Sequence, residues 1–172
     1  GTNGKTTTTA LLGQMLKDAG RPVFVGGNIG VPLVLETANL TPEHLVVAEI
    51  SSFQLEGIVE FRPKVAALLN ITPDHLDRHH TMEGYVEAKA RIFMNQEPED
   101  CSVINYDCPL SRQLAGKTRG RVMWFSRREA LKEGVVVQGG QIVIRWNGEE
   151  RVVLRPEEIN IRGAHNLENA LA

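Results

Sequence analysis

The chain has 172 residues, 42% of them hydrophobic and 23% charged, with a formal net charge of −2 at pH 7. That length and balance predict one domain able to bury a substantial core, and they exclude the broad basic surface of a nucleic-acid-binding protein. Two cysteines, Cys101 and Cys108, exclude a disulfide framework or a zinc spacing and point to reduced thiols in the cytoplasm, and no apolar run approaches the ~20 residues of a membrane span.

The chain opens on Gly1-Thr-Asn-Gly-Lys-Thr6, a glycine-rich run with no strand and no methionine in front of it, as expected of a portion of a longer protein. Behind Lys5, the residues Ala10, Leu11, Met15, Leu16 and Ala19 recur at helical spacing, and Gly20 is a natural stop. Pro22 to Val25 reads as a short buried strand ended by Gly26-Gly27, and a second helix is expected over 32–38. His44 to Ile50 and Lys64 to Ile71 are continuous apolar runs, the pattern of strands buried on both faces. Thr81 is placed to cap a helix with 84–94 in its body. Ser102 to Asn105 and Arg121 to Phe125 read as two more strands. Gln141 to Trp146 and Arg151 to Leu154 flank Asn147-Gly148, the strongest short signal for a hairpin. His165 to Ala172 begins a last helix. Strands alternating with helices predict an α/β fold: a mostly parallel sheet covered by helices on both sides, with an antiparallel hairpin at its edge near the C-terminal end.

Four places could carry chemistry. In Gly1-Thr-Asn-Gly-Lys-Thr-Thr7 the glycines let the backbone curl so that several N–H groups point inward, and the helix behind adds its unpaired N–H groups and positive dipole end. Lys5 would reach the β- and γ-phosphates of a nucleotide, and the Thr6 hydroxyl would ligate Mg²⁺. The full eight-residue phosphate-loop pattern needs a glycine five residues before Gly4, further than the chain extends. Glu49 ends an apolar strand, where ligands bind in parallel sheets, and suits a Mg²⁺ that bridges phosphates. Asn70-Ile-Thr-Pro-Asp-His75 leaves another buried strand on the same edge, which favours His75 as a ligand; Asp77, His79 and His80 read as a solvated loop. Lys89 lies between Ala88 and Ala90 in an apolar helix; a lysine on a helix is ordinarily a solvated charge, but one that is buried loses its proton readily.

Together, Gly1 to Thr7, Ala48 to Glu56, Asn70 to His79, Tyr85 to Phe93 and Gly163 to Ala172 follow in the order seen in Mur ligases, and the chain resembles the central domain of that family across almost its whole length. The stretches Gly26 to Gly30 and Ser51 to Glu56 most resemble the branch that adds D-glutamate to UDP-N-acetylmuramoyl-L-alanine. The resemblance implies three domains: one for the UDP end of the substrate, a central ATP-binding one matching 1–172, and one for the incoming amino acid. It implies an ATP-dependent ligase of peptidoglycan precursor synthesis that works through an acyl phosphate, and a cytoplasmic monomer without nucleic-acid or membrane partners.

Residue by residue, the resemblance implies that Gly1, Thr2, Asn3, Gly4, Lys5, Thr6 and Thr7 hold the ATP phosphates, and that Asn166 and Asn169 contact adenine. Thr6 and Glu49 would share a first Mg²⁺. His75 would hold a second with Lys89, carbamylated by CO₂ and so converted from a cation to an oxygen donor. Asn28 and Ser51 or Ser52 would place the acyl-phosphate end of the substrate, with Asn70 in support, and Lys5, His75 and Lys89 are the catalytic candidates. The family's later arginine, lysine and aspartate positions lie beyond Ala172. Other readings stay open: another Mur ligase, a folylpolyglutamate synthase-like ligase, or a nucleotide-binding module without turnover.

Overall fold

A computed structural model describes residues 1–161 and 163–172. The first helix, α1 (Lys5–Asp18), starts directly behind the glycine loop and ends where expected, with Gly20 at φ 71°. It packs on a two-stranded parallel sheet of β1 (Val23–Gly27) and β2 (Leu45–Glu49), joined through a short helix α2 (Leu33–Glu36). The contact runs through Thr9 and Gly13 rather than through the apolar stripe: a Cβ at Gly13 would lie 2.4 Å from Val25 Cγ2, while Met15 stays 60% exposed. A small residue there lets helix and strand backbones approach closely.

Helix α3 (Ser52–Glu56) follows β2, and β3 (Val65–Leu68) opens a second, six-stranded sheet. Its strands lie in chain order: β3, β4 (Cys101–Asn105), β5 (Arg121–Ser126), β6 (Gly134–Gln138), β7 (Gln141–Trp146) and β8 (Glu149–Leu154). The pairs from β3 to β6 are parallel, and β6–β7–β8 is an antiparallel meander that ends the sheet. The expected mostly parallel sheet with a C-terminal antiparallel edge is therefore present, divided in two. The turn at Asn147-Gly148 has both residues at positive φ, 55° and 81°, the backbone that a right-twisted two-residue hairpin needs. Strand β6 was not expected, although Val135-Val-Val137 ahead of Gly139-Gly140 carries the same signal one hairpin earlier.

Between the strands run α4 (Leu76–His79), α5 (Met82–Ala90), α6 (Pro109–Gln113) and, last, α7 (Ala164–Leu171). Thr81 caps α5 as expected, its hydroxyl accepting the Gly84 N–H at 3.0 Å, and the helix tightens to a 3₁₀ turn over Arg91–Phe93. Period-two alternation along β4 divides the core: Ile104 joins Leu68, Tyr85 and Phe93 on one face, and Val103 joins Leu69, Phe125 and Leu171 on the other. Burial on both faces thus holds for β4 and, as expected, for the 64–71 run, whose Leu68 and Leu69 enter opposite clusters although Val65 at its start is exposed. In β2 the expectation fails, because Val46 is 45% exposed. Among the described residues α1 is the helix that packs substantially on the small sheet, and no ladder joins β2 to β3.

Candidate active site

The C-terminal ends of β2 and β3 and the N-terminus of α1 bring most of the expected residues together. Gly4 caps α1 in the left-handed region, φ 82°, and the first turn of the helix holds no acidic residue of its own, so its positive end faces the loop. A Cβ at Gly4 would lie 2.1 Å from Asn169 Oδ1, so the loop closes tightly against α7. Asn70 pins the loop from below. Its carbonyl accepts the Thr2 N–H at 2.8 Å, its side-chain oxygen accepts the Asn3 N–H at 2.8 Å, and its amide donates to the Asn3 carbonyl at 3.0 Å. A Cβ on Gly1 would come within 2.9 Å of the Asn70 nitrogen. Lys5 curls over the loop and donates to the Thr2 carbonyl at 2.9 Å, and Thr7 follows it in the first turn of α1.

Glu49 is buried at the end of β2 with both oxygens engaged: Oε2 accepts from the Thr6 hydroxyl at 2.8 Å and Oε1 from the Asn28 amide at 3.0 Å. The Asn28 backbone N–H donates to the Glu49 carbonyl at 2.7 Å. The carboxylate and the hydroxyl it contacts, beside a phosphate-type loop, offer hard oxygen donors of the kind Mg²⁺ takes.

The second group is looser. His75 sits in the left-handed region at φ 52°, half-exposed, with Nε2 3.4 Å from Asp74 Oδ2 and its ring 4.9 Å from Phe53. Lys89 is buried, as its flanking alanines indicated. Its Nζ donates to the Gly1 carbonyl at 3.3 Å and lies 4.4 Å above the Tyr85 ring. Burial, reinforced by the nearby Lys5 charge, lowers the Lys89 ammonium from the usual 10.5 to about 8. Tyr85 borders both residues, with His75 at 6.4 Å between ring centroids, and its hydroxyl lies 3.1 Å from Thr2 Oγ1. Among the described residues no three His, Cys, Asp or Glu side chains gather as a metal cluster.

The two serines part company. Ser51 caps α3 in a reciprocal box with Gln54, while Ser52 is 3% exposed and its hydroxyl lies 3.0 Å from His79 Nε2. His79, expected in a solvated loop, has a side chain only 4% exposed; Phe53 stacks on it at 5.6 Å and Tyr85 tilts against it at 5.1 Å. His75 stands just ahead of α4 and His79 ends it, and both rings meet Phe53. Tyr85 and Lys89 stand four residues apart on α5 and so share one face. On α7, Asn169 is buried against Gly4 of the glycine loop and donates to Asn166 Oδ1 at 3.2 Å.

A family model described as the Mur ligase middle domain matches residues 1–172. The UDP-N-acetylmuramoylalanine--D-glutamate ligase of Pelotomaculum thermopropionicum is 58% identical over 172 residues, covering 100% of this chain and 38% of that protein. The protein of the same name from Clostridioides difficile is 49% identical, with the same coverage. The chain thus spans about two fifths of the length of these relatives. A diaminopimelate-adding Mur ligase structure superposes with TM-score 0.70 at 21% identity, over 98% of this chain and 40% of that one. A MurF ligase from Thermotoga maritima in complex with ADP gives 0.65 at 22%, over 100% and 42%. At such identities these two structures speak to the fold alone.

Proposed function

This chain belongs to the Mur ligase family, and from that premise we propose that it is the ATP- and metal-binding centre of a cytoplasmic, monomeric ligase that joins D-glutamate to UDP-N-acetylmuramoyl-L-alanine. The observation that carries the reading is the contact of Thr6 and Asn28 with buried Glu49 at the mouth of the Gly4–Lys5 loop. High identity along the whole chain to relatives bearing that enzyme name supports the choice of substrates. The net charge of −2 gives nucleic acid no broad basic surface, and among the described residues no helix is long and apolar enough to cross a membrane.

In this reading the terminal carboxylate of the alanyl substrate attacks the γ-phosphorus of ATP, and ADP leaves. The amine of D-glutamate then attacks the acyl carbon, loses a proton, and phosphate departs as the amide forms. Carboxylate and γ-phosphate are both anionic, so the site must offset their repulsion. The N-terminus of α1, with the unpaired N–H groups of its first turn, would hold the phosphates, while Asn70 takes the Thr2 and Asn3 N–H groups; Lys5, which donates to the Thr2 carbonyl, would turn to the transferring group. Mg²⁺ at Thr6 and Glu49 would supply further positive charge. Asn28 holds Glu49 in place and lies where the acyl end of the substrate would meet it. Ser51, at the head of α3, remains the better of the two serines for substrate, since the Ser52 hydroxyl is committed to His79.

Lys89 spends part of its time as a free amine near neutral pH, given its lowered value of about 8. A neutral amine adds to CO₂ through its lone pair and releases a proton, leaving a carbamate. Beside His75 and Asp74, that group would present the oxygen donor that the second metal needs.

The test is Lys5→Ala in the full-length protein that contains this chain, assayed for phosphate release and amide product with ATP, UDP-N-acetylmuramoyl-L-alanine and D-glutamate. Turnover should fall by about a hundredfold or more, the scale of losing one preorganised charge donor. Near-normal turnover would remove the phosphate-loop role. Product with a different amino acid or a pterin substrate would move the chain to another ligase, and ATP binding without product would leave a nucleotide-binding module.

A further inference from the structure

Two halves of the site come from elements that no backbone ladder joins among the described residues: Glu49 from β2 and its turn into α3, and His75, Tyr85 and Lys89 from the segment after β3. His79 stands at their seam. Its Nε2 is 3.0 Å from Ser52 Oγ and its Nδ1 3.5 Å from Glu56 Oε1, so both ring nitrogens meet α3. Nε2 and the Ser52 hydroxyl share one hydrogen bond, and Nδ1 faces the Glu56 carboxylate. Glu56 is itself fixed by Arg78, whose Nη2 donates to Oε2 at 2.7 Å. The guanidinium also lies over the Phe53 ring at 4.8 Å. On its faces the imidazole stacks with Phe53 and tilts against Tyr85, and Tyr85 carries Lys89 on its own ring.

In an open cleft, a serine, a histidine and a glutamate in this order would activate a nucleophile. Here Ser52 is 3% exposed, so no acyl or phosphoryl acceptor reaches its hydroxyl. The three side chains do something else. We infer that His79 is a positioning residue, resting on the ligase reading above: through Ser52 it fixes the turn that carries Glu49, and through Tyr85 it fixes the wall beside His75 and Lys89. It touches neither nucleotide nor substrate. Its effect is to hold the carboxylate that engages Thr6 at a set distance from the lysine side of the site. Misplacing such groups by an ångström costs catalysis while leaving ATP binding at the loop intact.

The test uses the full-length protein and four variants: His79→Phe keeps the ring and removes both nitrogens, His79→Gln restores a donor and acceptor near the Nε2 position, Ser52→Ala removes the partner, and His79→Phe with Ser52→Ala combines the two. His79→Phe and Ser52→Ala should each lower kcat about ten- to a hundredfold, the range for outer-shell partners of such sites. KM for ATP should stay within about twofold. The double variant should be no slower than the slower single one, because one linkage is lost only once. His79→Gln should recover most of kcat, which a purely space-filling role would not predict. Unchanged kcat in His79→Phe overturns the inference, as does additive loss in the double variant. If His79→Phe does not fold, Ser52→Ala decides alone: wild-type kcat there overturns it. Lys5→Ala, run in parallel, separates the two proposals. An active Lys5→Ala enzyme sinks the ligase mechanism, whereas an inactive one beside normal His79 variants sinks only the brace.

Discussion

At the scale of single residues, Lys89 is the position where burial and chemistry conflict. An ammonium held inside the fold favours losing its proton, and the lowered value of about 8 against the usual 10.5 expresses that cost. The sign follows from proton counting. Between about pH 8 and 10.5 the unfolded chain holds more protons at Lys89 than the folded one, so stability rises with pH across that window. Below pH 8 both states are charged and the penalty is complete, about 3 kcal/mol by linkage. Lys89→Met, which fills the space without the charge, should therefore unfold at higher denaturant than the native chain at pH 7, and the gap should close towards pH 10.5. Urea titrations in CO₂-free buffer, stepped from pH 7 to 10, measure it; a constant gap would show that the amine is not desolvated. The same protein in bicarbonate should gain the mass of CO₂ on Lys89 by native mass spectrometry, and its absence would argue against the carbamate. From the sequence, Ala88 and Ala90 signalled that this lysine faces inward. They did not signal Tyr85, because an aromatic four residues away on an apolar helix reads equally well as core, and it is core as well as wall. His79 was misread for a related reason: three histidines within six residues look solvated until α3 is known to lie over them.

At the scale of elements, turn chemistry was the most legible feature and periodicity the least. Asn147-Gly148 fixed a hairpin because its two positive φ values are rare in other residues, and β7 and β8 pair as that turn requires. A Cβ at Gly148 would meet nothing within 4 Å, so Gly148→Val isolates backbone strain from packing. It should cost about 1–2 kcal/mol, the penalty of a left-handed L-residue, with no change in ATP binding because the hairpin lies at the far edge of the sheet. Thermal unfolding measures the first and nucleotide titration the second; a loss of ATP affinity would mean that the hairpin and site are coupled. The apolar spacing behind Lys5 found α1 and its end, but it did not mark the face on which the helix packs. Helix α1 packs through Thr9 and Gly13, and close backbone approach leaves no periodic apolar trace. The helices α3, α4 and α6 are five residues or fewer, too short for a 3.6-residue period to register, and only their caps, such as Ser51 with Gln54, announce them.

At the scale of the whole molecule, the division into two sheets could not be read from the strands, since β2 and β3 carry similar apolar runs. The division has energetic consequences. Strands β4 and β5 sit between neighbours on both sides with Ile104 and Phe125 sealed in opposite cores, whereas among the described residues β1 and β2 pair with each other alone and pack mainly on α1. The small sheet is tied to the rest through the elements around it: α3 packs on α5, α1 packs on α7, the Thr2 N–H donates to the Asn70 carbonyl, and side-chain bonds hold α3 and the segment behind it. Arg91 donates to the Leu55 and Ile58 carbonyls at 2.7 and 2.8 Å, and Asn95 reaches the Val59 and Phe61 carbonyls. Thr6 meets Glu49, and Ser52 meets His79. Individually such bonds contribute about 1 kcal/mol each, so the small sheet should open at a lower free energy than the large one. Hydrogen exchange on the 172-residue chain should show the β1 and β2 amides exchanging well before those of β4 and β5. Adding ATP with Mg²⁺ should slow exchange at the end of β2 and the first turn of α1 while leaving β7 and β8 unchanged, because ligand binding to the folded state protects only what must open to release it. Uniform exchange across both sheets would mean that the seam at Thr6, Ser52 and Arg91 is as strong as a backbone ladder.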